Sequence, residues 1–206
     1  MQFRFATGLT SEEYVRQEGW RKATLEKCPL HPEGGCGFAR HGTYEREEPP
    51  GVLVARFYCR AGHVTFSLLP DFLASRLSST LAAAETVVDR VESAPTFVAC
   101  AEKLRPDLEP AGARRWTRRR VRLVRAALTT TIGLLPLLLV GCEPTLASFR
   151  ARLGVERVLP ELRARAELHL AGLPPPLGFG PWPAKRRYPD RRLQHEAGPD
   201  PPRTAR

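Results

Sequence analysis

Lysine is almost missing from this chain. Of its 32 basic residues only Lys22, Lys27, Lys103 and Lys185 are lysines, and the rest are arginines. A GC-rich coding bias exchanges lysine for arginine without changing charge, so it leaves the net charge of +10 unexplained. An excess of that size calls for an acidic partner, either nucleic acid or an anionic membrane face. The first fourteen residues, MQFRFATGLTSEEY, contain no apolar run. This predicts no secretory signal and a cytoplasmic, nucleoid-associated protein whose thiols stay reduced. Five cysteines, an odd number, also argue against a complete disulfide framework. A Walker loop, a dinucleotide glycine fingerprint, a G-x-S-x-G elbow and an HExxH helix are all lacking, so the expectation is a binding protein and not an enzyme. The 206 residues, 42% of them hydrophobic, allow one medium domain or two small ones.

Residues 28–66 hold what is present instead. Three of the five cysteines and three of the five histidines fall there. Cys28 and Cys36 precede a stretch of turn formers and β-branched residues, and Cys59 follows it, with His63 four positions later. Thiolates and imidazoles at two short-spaced sites joined by a hairpin suit a tetrahedral structural zinc. Cys28, Cys36, Cys59 and His63 make one ligand set. His31 is the alternative ligand: in place of Cys36 it would give a C-x2-H pair and a C-x3-H pair. Tight knuckles favour His31, and the thiolate preference of Zn2+ favours Cys36. With four protein ligands there is no open position, so the site would be structural and not catalytic. His41 reads as a surface or hydrogen-bonded histidine.

Around this module the chain reads as α+β. Thr10-Ser11-Glu12-Glu13 fits a capping box opening a helix toward Lys27, within an N-terminal segment 1–27. Residues 38–46 and 51–58 read as strands, and 64–67 as a short third one, which makes 28–70 a zinc-ribbon-like module. Ser79 or Thr80 caps a helix with Leu81, Ala84, Val88 and Val91 on one face. Pro95 suits the first turn of a second helix bearing Phe97, Ala101 and Leu104. A third helix, starting near Ala113, completes a trihelical unit over 71–131. Two further helices, ending at Gly154 and Gly172, fall in 132–172.

The third helix carries seven arginines in the twelve positions 114–125. At about 100° per residue, Thr117, Val121, Val124 and Leu128 share one side. Arg114, Arg115, Arg118, Arg119, Arg122 and Arg125 fall on the other, and only Arg120 is out of phase. One half of the helix can pack while the other meets DNA phosphates. Residues 126–142 lack charge, and 17 residues is the lower limit of a membrane span. Threonines, glycines and Pro136 make a buried helix end plus connector the expectation, with a transmembrane segment the weaker alternative. From Leu173 onward, nine prolines and seven Lys/Arg against three Asp/Glu predict a disordered basic tail, 173–206.

Cys36-Gly37, Arg40-His41-Gly42-Thr43-Tyr44, Arg56-Phe57-Tyr58-Cys59 and Thr65-Phe66-Ser67-Leu68-Leu69-Pro70 together resemble the N-terminal zinc-ribbon region of bacterial insertion-sequence transposases and related small transposase-like proteins. The resemblance covers residues 28–70, and Arg114-Arg115-Trp116-Thr117-Arg118-Arg119-Arg120 looks like that family's recognition-helix stretch. It implies a helix-turn-helix DNA-binding unit behind the ribbon. Two departures stand out: the first knuckle is expanded from Cys28 to Cys36, and Gly62 occupies the place of the family's last cysteine. The RNase H-like nuclease domain of such transposases has no room after the basic helix. The expectation is therefore a zinc-stabilised DNA-binding protein without the nuclease. The runner-up is an adaptor whose zinc module holds a protein partner such as a recombinase.

Overall fold

A computed structural model describes residues 1–180. It is α+β: a four-stranded sheet followed by helices, in the order β1 (Gln2–Phe5), α1 (Ser11–Arg16), β2 (Ala39–Glu45), β3 (Leu53–Cys59), β4 (Val64–Pro70), α2 (Leu81–Glu92), α3 (Phe97–Leu104), α4 (Pro110–Leu134), α5 (Leu146–Leu153) and α6 (Val158–Arg165). The sheet order is β1-β4-β3-β2. Strands β2, β3 and β4 are antiparallel neighbours, and β1 lies parallel to β4.

Sheet register divides the strand residues into two faces. Ala55, Phe57, Phe66 and Leu68 share one face, and with Phe3, Phe38, Cys28, Cys36 and Cys59 they form a core. On the other face Val54 and Leu69 are buried with Tyr14, Val52 and Leu73, while Arg56, Ser67 and Gln2 pair across the three strands. β1 was not foreseen. Its four residues alternate polar and apolar, but a run that short carries little periodic signal.

Helix α1 opens with the expected capping box: Thr10 accepts from the Glu13 amide, and Glu13 accepts from the Thr10 amide. It ends at Arg16, well short of Lys27, because Glu18 turns left-handed at φ 48° and Gly19 tucks under Tyr14. A Cβ at Gly19 would meet that ring at 2.3 Å.

The helices enclose a second core, with Leu81, Ala84 and Val88 of α2, Val121, Val124 and Leu128 of α4, and Phe149, Leu159 and Leu162 of α5 and α6. Thr80 caps α2, and Gly154, at φ 65°, ends α5, both as expected. Helix α4 starts at Pro110, earlier than expected, with proline in its first turn. It continues to Leu134 and so takes up the first half of the uncharged stretch 126–142; the remainder connects to α5. No helix among the described residues is long and apolar enough to cross a membrane. Helix α6 stops at Arg165, earlier than Gly172.

Acidic side chains on α2 hold the helices that follow. Buried Glu85 accepts from the Val158 and Leu159 amides at 3.0 and 2.9 Å, capping α6, and from Arg150 at 3.0 Å. One heptad on, Glu92 accepts from the Leu146 amide at the start of α5. Burial raises the Glu92 pKa against that bond. Charged hydrogen bonds to a helix N-terminus are worth ~1.5–3 kcal/mol each. Glu85→Gln, which keeps the shape but removes the charge, is expected to lower unfolding free energy by about 2–3 kcal/mol. Urea denaturation of the pair of proteins measures it.

The segment 173–180, assigned from its prolines to a disordered tail, is packed. Leu173 and Leu177 are fully buried. The Ser75 amide donates to Pro176 O, and the Ser75 hydroxyl donates to Gly178 O. The buried Arg163 guanidinium donates to Leu177 O and Pro176 O. Prolines lack N–H donors, but their carbonyls remain, and here an arginine supplies the missing partner. The rest of the expected tail, 181–206, lies outside the described residues.

Candidate metal centre and basic helix

Four donor side chains converge at one corner of the sheet. The ligand atoms of Cys28, His31, Cys36 and Cys59 all lie within 4.8 Å of one another. His31 Nδ1 is 3.6 Å from Cys28 Sγ and 3.4 Å from Cys59 Sγ. Zinc bonds of about 2.0–2.3 Å at tetrahedral angles set donor atoms roughly 3.4–3.8 Å apart, and the two His31–sulfur spacings fall in that range. The three cysteines are buried, with at most 6% of their surface exposed, and His31 is half-buried.

The local backbone explains the convergence. At the first knuckle Cys28 is followed by an amide of Leu30 and one of His31 that both reach back to its sulfur, and the His31 amide donates to Cys28 O at 3.2 Å. At the second knuckle the Gly62 amide donates to Cys59 Sγ at 3.2 Å, and Ala61 N donates to Cys36 O. Between Cys36 and Phe38 the chain passes close to Arg60. Gly37 takes φ 64° there, and a Cβ would lie 3.3 Å from the Arg60 side chain.

These contacts also set the acidity of the thiols. Burial disfavours the Cys28 thiolate, but the His31 ring and the two backbone amides outweigh it and bring the thiol down to about 6. Cys36 moves the opposite way, raised by burial and by the neighbouring Cys28 and Cys59 sulfurs. Three sulfurs packed together disfavour further negative charge, and a divalent cation between them relieves that repulsion.

The ligand set expected from sequence is corrected at one position. Cys28, Cys36 and Cys59 meet, but the fourth donor is His31, and both His31 and Cys36 take part. His63 lies outside the cluster: it sits at φ 50°, and its Nδ1 is 3.2 Å from the Tyr58 hydroxyl. The reason lies at Tyr58. Its side chain alternates with those of Phe57 and Cys59 along β3 and so projects to the opposite face of the sheet, and the His63 ring is turned toward its hydroxyl and away from the sulfurs. At Gly62 the two knuckles meet: a Cβ there would stand 3.0 Å from Leu30 Cδ1 and 3.3 Å from Cys59 Sγ. The tight Cys28-x-x-His31 spacing was the signal in the sequence that pointed this way.

The basic helix is built as its periodicity predicted. Thr117, Val121, Val124 and Leu128 of α4 are buried against α2 and α3. Arg115, Arg118, Arg119, Arg122 and Arg125 are exposed and Arg114 is half-buried, whereas the out-of-phase Arg120 is only 5% exposed. Arg120 lies over the Trp116 ring at 3.5 Å, with Arg105 over the same ring at 4.9 Å. Burial lowers the Arg120 pKa to about 10, which leaves it cationic at neutral pH. Arg115 pairs with Glu109 at 3.3 Å, and Arg118 lies over Phe97 at 5.6 Å. Arg114 to Arg125 spans about 16 Å at 1.5 Å per residue. The connection from α3 to α4 is the five residues between Leu104 and Pro110, longer than a tight helix-turn-helix turn.

Cys100 and Cys142 take no part in the cluster. Cys100 Sγ donates to Arg90 O at 3.4 Å, and Cys142 packs against the helical core. No family model, no curated protein and no solved structure matches this chain.

Proposed function

We propose that this is a zinc-stabilised DNA-binding protein, related to the targeting regions of insertion-sequence transposases, with a binding and not a catalytic role. The observation that carries the reading is the outer face of α4. Five exposed arginines and one half-buried one line a helix whose inner face is anchored in the core. Phosphates along a duplex meet such a face through charge-assisted, bidentate contacts, and arginine suits them better than lysine. The metal centre contributes rigidity: it closes the module whose last strand, β4, precedes α2 in the chain, and α4 packs against α2.

Charge reversal of Arg115, Arg119 and Arg122 to glutamate is the test. All three side chains are exposed, so the variant is expected to melt within a few degrees of the parent while duplex binding in a gel-shift assay is abolished. Unchanged affinity would refute the reading. In the parent protein, log K for duplex is expected to fall with log salt with a slope near −0.9 per phosphate contacted.

The adaptor reading, in which the zinc module holds a protein such as a recombinase, draws on Leu30. This side chain is 44% exposed on the first knuckle. Salt-insensitive capture of a partner that Leu30→Ser abolishes would favour it.

A further inference from the structure

The face of the sheet turned away from the metal centre forms the floor of a groove of about 910 Å³. Gln2, Arg56, Thr65 and Ser67 project from three neighbouring strands, and Arg76 and the 167–179 segment form the walls. Three arginines line the groove, Arg4, Arg56 and Arg76, against one carboxylate, Glu167. That carboxylate is already committed, 2.7 Å from Arg4, which also pairs with Asp71 at 2.7 Å. Arg56 and Arg76 have no carboxylate partner among the described residues. Arg56 lies over the Tyr44 ring at 5.8 Å, and its Nε is buried without a hydrogen-bond partner there. Tyr44 and Phe179 bring aromatic rings to the groove.

Arg76 also lines a second, smaller cavity of about 270 Å³ together with Trp116 and Arg119 of α4. Arg119 reaches the Arg76 carbonyl at 3.5 Å. One basic track therefore runs from the outer face of α4, past Arg76, onto the sheet.

We propose that the groove binds a single-stranded nucleic acid, with Arg56 and Arg76 on its phosphates and Tyr44 and Phe179 as stacking faces for its bases. The proposal rests on the reading of α4 as a nucleic-acid face and extends that face to a second strand form. Its size, at the upper end of the ~300–1,000 Å³ typical of small-ligand pockets, suits a few nucleotides and not a duplex. Aromatic rings stack on unpaired bases, whereas paired ones are already stacked on each other. Two guanidinium groups without a carboxylate partner among the described residues, one of which, Arg56, also donates to Thr43 O at 3.5 Å, stand beside strand hydroxyls and form an electrostatic channel for a phosphodiester chain.

Fluorescence anisotropy of the zinc-loaded full chain tests this, with a labelled twelve-nucleotide oligothymidylate and a labelled duplex as probes. Arg76 sits at φ 55°, a conformation asparagine accepts readily, so Arg76→Asn removes the charge without straining the backbone. The double variant Arg56→Gln, Arg76→Asn is expected to lose at least tenfold in affinity for the single strand. Its log K against log salt should flatten by about 1.4, or 0.7 per lost phosphate contact. Duplex affinity should stay within twofold. If the Arg56 exchange impairs folding, Arg76→Asn alone decides, with about a threefold loss expected. Single-strand affinity within experimental error of the parent overturns the proposal, as does equal affinity for inorganic phosphate and the twelve-mer. Retained duplex binding after charge reversal on α4 would instead overturn the reading of that helix, because the groove variants leave its arginines in place.

Discussion

His31→Ala is expected to lower zinc affinity by more than a hundredfold, and His63→Asn to leave it unchanged. Losing an outer-shell partner of a metal ligand typically costs ~10–100-fold, and losing a ligand costs more. His31 Nδ1 stands at tetrahedral spacing from both Cys28 and Cys59 sulfurs, so its removal opens one corner of the site to water. His63 donates to nothing in that cluster, and asparagine is tolerated at its φ of 50°. Competition against a chromogenic chelator measures both. Structural zinc contributes ~10–16 kcal/mol of apparent folding free energy in small modules, so chelation is expected to melt the part of the sheet built on Phe57, Phe66 and the three cysteines. The helical core around Val88, Val124 and Leu162 contains none of the ligands and should keep most of its helical signal. Loss of metal in His63→Asn with retention in His31→Ala would reverse the assignment.

Arg163→Met should destabilise the fold by about 4 kcal/mol, in the ~3–5 kcal/mol range for breaking a buried charged network. The guanidinium is 1% exposed. It donates to four carbonyls: Asp71 O at 3.0 Å, Leu73 O, Pro176 O at 2.6 Å and Leu177 O at 2.8 Å. Burial pushes its pKa down to about 9, still above neutrality, so the donors stay charged. Methionine fills a similar volume but leaves all four acceptors bare. For a chain of this size the loss corresponds to about 10 °C in Tm. Arg165→Met, two positions on, removes only a partly exposed pair with Glu161 and should change stability by less than ~0.5 kcal/mol. Calorimetry on both variants separates the network from a generic arginine effect.

What could be read from the sequence follows from how local each signal is. The Thr10–Glu13 box, the Thr80 cap and Gly154 act within one helical turn, and each was legible. So was the partition of α4, where periodicity alone singled out Arg120 as the arginine that turns inward. The order of the ligands was not. Spacing set His31 against Cys36 with His63 in either set, whereas the folded chain brings His31 and Cys36 together and turns His63 to Tyr58. Strand β1 and the packed segment 173–180 were missed for a related reason. Both are held by residues far away in the chain: Ser67 and Leu68 for β1, Ser75 and Arg163 for the other. Glu85, which caps a helix 73 positions later, leaves no trace in local pattern. The groove on the far face of the sheet was hidden as well, since Arg56 and Arg76 come together only once the strands are paired and the chain has turned at Arg76.

The central claim is that Cys28, His31, Cys36 and Cys59 hold one zinc ion and that this fixes the module supporting the basic helix. X-ray absorption at the zinc edge of the purified protein tests it most directly. The expected shell is three sulfurs at ~2.3 Å and one nitrogen at ~2.0–2.1 Å, unchanged in His63→Asn. A protein that carries no zinc when folded, or a shell with two nitrogens that loses one in His63→Asn, would contradict it.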